Sequence, residues 1–149
     1  MIDFKTIQKR LQTHPTATFF CPVTGLKAYT RPEWIEKQLS ETFVGNFWII
    51  GDSVLYSMPR GRADLKGVQN SLVIKEQITK YLSGSSGQYV QIQDYSALNE
   101  SSRVARRLFI RNANEDNRLL SLIFCNLSPQ LSIAVKIGNR FNTAARLFI

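Results

Sequence analysis

The chain has 149 residues, about one domain, enough to bury roughly two thirds of its unfolded surface. Hydrophobic residues make up 44% and charged residues 20%, ordinary values for a globular protein, and no run approaches the 18 or so apolar residues of a membrane span. The formal net charge of +8 is uneven: residues 1–100 carry 11 Lys/Arg against 9 Asp/Glu, and residues 101–149 carry 8 against 2. The second portion either attracts an acidic partner, nucleic acid included, or presents a solvated basic helix face.

Met1 to Lys5 lacks the basic-then-apolar order of a secretion signal. Cys21 and Cys125 are the only cysteines, so no disulfide framework is visible and cytoplasmic thiols are expected. Residues 2–12 read as a short helix, with Ile2, Phe4, Ile7 and Leu11 on one side, ended by His14 and Pro15. Phe19 to Gly25 reads as a turn. Pro32 stands where a single helical turn over residues 31–35 would start. Residues 1–40 are therefore expected to form an N-terminal extension, and residues 41–149 the main domain.

That domain opens with a hairpin. Phe43 to Ile50 is one strand, Gly51 and Asp52 form a two-residue II′ turn, and Ser53 to Met58 is the return strand. Pro59 to Ala63 reads as a loop. Asp64 caps a helix that reaches Leu82 and turns Leu65, Val68, Leu72, Ile74 or the Lys75 stem, Ile78, and Tyr81 or Leu82 inward, with Gly67 weakening it slightly. Residues 83–87 form a flexible loop. Tyr89 to Ile92 is a strand, and a helix runs from Ser102 to Asn112. Leu119 to Cys125 is nearly continuous in apolar residues, as for a strand buried on both faces. Ser128 caps a further helix with Pro129 at its first position, and that helix ends near Gly138. Arg146 to Ile149 starts another apolar strand, in which the chain stops, as expected of a piece of a longer protein.

The order after the extension is β-β-α-β-α-β-α-β. It implies an α/β domain with a mixed, mainly parallel sheet, the initial hairpin contributing an antiparallel pair, and covering helices. Ligands and partners of such folds are met at strand-to-helix junctions. Here that junction runs from Gln88 to Leu108, so Asp94, Tyr95 and Ser96 in its loop and Ser101 and Ser102 at the helix start are candidate contact residues. The two serines read either as helix caps or as modified or partner-contacting positions, because a helix N-terminus favours an added phosphate. Arg103, Arg107 and Arg111 are spaced by four and form one ridge, either solvated or docking acidic groups. Phe47 and Trp48 are adjacent on a strand, so one should face outward.

Catalytic signals are sparse. His14 is the single histidine, and no zinc spacing, phosphate-cradling glycine loop or nucleophile elbow occurs. Neither metal nor cofactor is expected. A small enzyme around Asp94 and Ser101 is the remotest alternative. Nucleic-acid or acidic-partner binding through Arg103, Arg107 and Arg111, with Lys136 and Arg140, is the nearer one.

Several segments carry a resemblance. Phe19 to Leu26, Phe47 to Ser53, Tyr89 to Leu98, Ala105 to Ile110, Leu119 to Phe124 and Ser132 to Arg140 together resemble an N-terminal region of bacterial membrane-free or hybrid sensor histidine kinases, ahead of their PAS and kinase modules. The order of strand, Asp94, loop, Ser101-Ser102 and helix also looks like the STAS fold of anti-sigma-factor antagonists. The first likeness implies a cytoplasmic, non-catalytic input domain in two-component signal transduction. Its partners would be other domains of the same protein, a partner protein or a second copy. The second implies a STAS-like sheet and a kinase-phosphorylated serine at Ser101 or Ser102. The family's Asp-Ser-Ser/Thr-Gly reads Glu100, Ser101, Ser102, Arg103 here.

Overall fold

A computed structural model describes residues 18–20, 27–82 and 87–131, of which residues 18–20 and 27 are placed by backbone only. The elements are β1 (Thr18–Phe20), β2 (Lys27–Tyr29), a 3-10 turn (Pro32–Trp34), β3 (Lys37–Gln38), β4 (Phe43–Gly45), β5 (Phe47–Ile50), β6 (Val54–Ser57), β7 (Arg60–Ala63), α1 (Leu65–Thr79), β8 (Tyr89–Asp94), β9 (Leu98–Ser101), α2 (Arg103–Glu115) and β10 (Leu119–Cys125). The expected helix 2–12, His14, Cys21, the loop at 83–86, residues 132–138 of the last helix, Lys136, Arg140 and the strand at 146–149 lie outside the described residues.

The protein is a mixed α/β structure with two mixed sheets. The larger has the order β1-β2-β5-β6-β8-β10, antiparallel from β1 through β6 and parallel from β6 through β8 to β10. The smaller has the order β3-β4-β7-β9, with only β7 and β9 parallel. The expected mainly parallel arrangement is thus corrected: parallel pairing is confined to strands joined by a helical crossover, which is what such crossovers require. Before residue 41, in the expected extension, β1 and β2 are strands of the larger sheet, and the turn expected from Phe19 begins instead with strand residues.

Three further expectations fail for nonlocal reasons. Phe43 to Ile50 is not one strand. It breaks at buried Asn46, whose Nδ2 donates to the Met58 carbonyl at 3.2 Å and whose Oδ1 accepts from the Glu36 N–H at 2.8 Å. The two halves then enter different sheets. Residues 60–63 are not a loop but β7, paired on both sides. The turn is three residues, 51–53, because Ile50 pairs with Val54.

Local signals fare better. The 3-10 turn carries Pro at its start. Asp64 caps α1 by accepting from the Gly67 N–H at 2.9 Å, and Ser102 caps α2 by accepting from the Ala105 N–H at 3.1 Å. Such caps contribute about 1 kcal/mol each. Ser128 likewise accepts from the Leu131 N–H at 3.2 Å. On α1, Val68, Lys75 and Ile78 are buried as expected, whereas Leu65 faces out. Gly67 has a packing reason: a Cβ there would stand 2.7 Å from the Phe43 ring.

Both faces of the larger sheet are buried. One carries Ile49, Leu55 and Tyr89 toward α1 and α2, with Leu122 and Phe124 packed against Phe109 and Ala113 of α2. The other carries Ala28, Trp48, Ile50, Tyr56 and Ile92. Phe47 and Trp48 are therefore both buried, not one in and one out. β10 is not covered on both faces; it is the outermost described strand, and Leu120 is exposed.

Gly61 fixes the seam where β7 runs between β4 and β9. Its φ is +92°, and a Cβ would sit 2.3 Å from the Thr42 carbonyl oxygen, which is backbone and cannot swing away. Gly61→Ala combines a disfavoured backbone conformation with that clash, so we expect a loss of at least about 2 kcal/mol. A urea titration checks it: the midpoint should fall at unchanged m.

Candidate functional site

Register places the polar residues of interest. On the helix-facing side, Leu55 pairs with Gln91 and Gln91 with Leu122; one row along, Phe47 pairs with Ser57, Ser57 with Gln93, and Gln93 with Phe124. Two glutamines and a serine thus occupy the middle of an otherwise apolar sheet face. Gln91 is 2% exposed and Gln93 5%.

Above them lies a cavity of about 710 Å³. Gln91, Gln93 and Ser57 line it from the sheet, Leu72 from α1, Phe109 from α2, and Leu98 from β9. This is within the size range of small-molecule sites, roughly 300–1,000 Å³. Its lining is mainly apolar, which favours an apolar ligand body. The carbonyl oxygen Oε1 of Gln91 is buried and has no hydrogen-bond partner among the described residues. A buried amide acceptor left without a donor costs about 1–3 kcal/mol, so its retention in a core calls for an explanation.

A second polar group ties the two helices together. The Lys75 ammonium, 3% exposed, donates to Asn112 Oδ1 at 2.7 Å and stands 3.8 Å from Asp116 Oδ2. Tyr89 donates to Asp116 at 2.7 Å, and Arg118 bridges Asp116 at 3.1 Å and Glu76 at 2.8 Å. Burial holds the Lys75 ammonium below its ordinary pKa and pushes the Tyr89 hydroxyl well up, where the bond to Asp116 adds to it. Lys75 also lines the cavity, but its ammonium already has these two acceptors.

The residues marked in the sequence take separate places. Asp94 is buried and accepts from the Tyr56 hydroxyl, from Asn126 Nδ2 at 3.0 Å and from the Ser96 N–H at 3.0 Å. Tyr56 belongs to the sheet face away from the cavity, so Asp94 closes that face. Tyr95 is not an exposed loop residue. Its ring centroid lies 5.3 Å from that of Phe124, and burial pushes its hydroxyl up. Ser96 is exposed.

Ser101 ends β9 rather than starting the helix. Its carbonyl and hydroxyl oxygens accept from Arg106 Nη1 at 2.5 Å and 3.2 Å. The expected loop between Asp94 and the helix contains β9, invisible locally because its partner is β7. Ser102 is the cap. Arg103, Arg107 and Arg111 form the expected exposed ridge, and among the described residues none of them makes an ion pair. All three line the cavity along with Ser101 and Arg106, which joins the cavity to the strand-to-helix junction.

Sequence reasoning missed Gln91, Gln93 and Ser57. In Tyr89 to Asp94 the alternation reads as one apolar and one solvated face. The available signal was the pair of crossovers: two right-handed crossovers running in one direction lay both helices on one face of β8, and Gln91 and Gln93 are on that face. Among the described residues, no three His, Cys, Asp or Glu side chains could hold a metal ion. No helix among them is long and apolar enough to cross a membrane. No protein-family model matches the chain, and no curated protein matches it.

Burial raises the pKa of Asp94, but the hydrogen bonds from Tyr56, Asn126 and Ser96 outweigh it and hold the carboxyl below its ordinary value. A depressed folded pKa stabilises fully above the unfolded value of about 3.9, and that stability is lost as pH falls through the folded one. Asp94→Asn should therefore cost about 2 kcal/mol at pH 7. The gap from the parent should narrow below about pH 4 in denaturant melts run across pH.

Proposed function

We propose that this chain is a non-catalytic regulatory input domain of a bacterial two-component signalling protein, acting in the cytoplasm, and that it senses a small molecule held between α1 and α2. The observation that carries the sensory reading is the polar floor of the cavity. Gln91, Gln93 and Ser57 sit where a sheet built only for stability would carry apolar side chains, and the space above them has the size of a ligand site. Within the order β5-β6-β7-α1-β8-β9-α2-β10, the parallel strands β6, β8 and β10 linked through α1 and α2 support a STAS-like assignment.

Output follows from the placement of α2. It walls the cavity, and its first turn carries Ser102 and Arg103 beside Ser101. A ligand that shifts or stiffens α2 alters the surface that another domain, a partner protein or a second copy would meet. Of the two serines, Ser101 is the better placed for modification, since the Ser102 hydroxyl is used in the cap and Arg106 already reaches Ser101.

The test uses the apolar anion 1-anilinonaphthalene-8-sulfonate. It should bind the native protein with enhanced emission and slow amide exchange in α2. Ala105→Phe, at a buried cavity-lining position, should remove both effects with the far-UV circular dichroism retained. Emission that appears only on unfolding would end the sensory reading.

One observation favours a second reading, docking of an acidic partner: the ridge of Arg103, Arg107 and Arg111 is exposed and makes no ion pair among the described residues. If nucleic acid is that partner, a labelled duplex should bind at 20 mM salt and lose about 500-fold in affinity by 200 mM, because three phosphate contacts give a log–log salt slope of about −2.7. No anisotropy change at the lower salt removes nucleic acid from consideration.

A further inference from the structure

We propose that the cavity takes an amphipathic carboxylic acid with a hydrogen-bond donor, such as a hydroxyl, on its apolar portion, the donor reaching Gln91 and the carboxylate the α2 arginines. This deepens the sensory reading and rests on it.

Three observations define the ligand. The walls, among them Phe47, Leu72, Leu98 and Phe109, are apolar, so the body of the ligand is hydrocarbon or aromatic. Gln91 is 2% exposed and lines this space, and its buried Oε1 has no partner among the described residues. An amide oxygen accepts and never donates, so the complementary group must carry an O–H or N–H. Third, Arg103, Arg107 and Arg111 line the same cavity, stand exposed, and make no ion pair among the described residues. Guanidinium forks match a carboxylate and bind it with two parallel hydrogen bonds.

The remaining cations do not compete. Lys75 is held by Asn112 and Asp116, and Arg106 by Ser101. Ligand polarity is therefore set: the donor end lies against β8, and the acid end lies under the exposed face of α2.

Isothermal titration of the purified full chain with 12-hydroxydodecanoate, dodecanoate and 1,12-dodecanediol, each below its aggregation concentration, tests both ends. The hydroxy acid should bind about tenfold tighter than dodecanoate, since it alone satisfies Gln91. Gln91→Leu, with Gln91→Met as a second apolar replacement, should bring the two acids within twofold of each other. Arg103→Gln/Arg107→Gln/Arg111→Gln should remove the preference for the hydroxy acid over the diol, which differ only in the carboxylate. Equal affinities of the two acids for the parent protein, as a resident water on Gln91 would produce, overturn the proposal. So does a hydroxyl preference that survives in both Gln91 variants. If none of the three compounds binds while the anilinonaphthalene probe is still held in the native cavity, the ligand class fails and the sensory reading stands. If the probe is not held either, both fail.

Discussion

Strand β8 is bonded in parallel to β6 along one edge and to β10 along the other, and its side chains are buried on both faces. Its two edges join crossovers through α1 and α2, so the position of each helix is referred to this one strand. Tyr89 at its start bonds Asp116 just beyond α2, and Asp94 at its end bonds Tyr56 of β6 and Asn126 beyond β10. The strand is thus anchored at both ends by a buried carboxylate, each accepting a tyrosine hydroxyl.

Between those anchors the two faces serve different purposes. Val90 and Ile92 point to a continuous apolar layer with Trp48, Ile50 and Tyr56. Gln91 and Gln93 point to the helices and leave a space that is apolar around them. A buried charge or amide is stabilised only by partners, and the structure distributes these unequally. Lys75, Asp116 and Arg118 satisfy one another near the C-terminal ends of the helices, whereas the buried Oε1 of Gln91, a residue that lines the cavity, has no partner among the described residues. That contrast sets a satisfied polar cluster apart from the polar floor of the cavity.

The smaller sheet contributes to the walls of that cavity. β7 and β9 meet beside the start of both helices, and Leu98 and Ser101 of β9 form part of the lining. Asn46 makes this possible, because the bend it holds lets one stretch of sequence feed both sheets. The arginine ridge then lies along α2, which lines the cavity together with α1 and strands of both sheets.

Helix starts were legible in the sequence because a cap is a local interaction: Asp64, Ser102 and Ser128 each bond a backbone N–H three residues on. So were the parallel neighbours Tyr89 to Ile92 and Leu119 to Cys125, since a helix between two strands leaves few ways to return to one sheet. The arginine ridge followed from helical spacing alone. The smaller sheet was not legible. β7 and β9 consist of Arg, Gly, Asn, Glu and Ser among few apolar residues; β9 pairs with β7 across more than thirty positions of chain, and β7 is held between β9 and β4. Nor was the cavity floor, because alternation along β8 fixes which residues share a face but not whether that face meets water. That was decided by two helices packing over it, and only then did a solvated-looking glutamine become a buried acceptor.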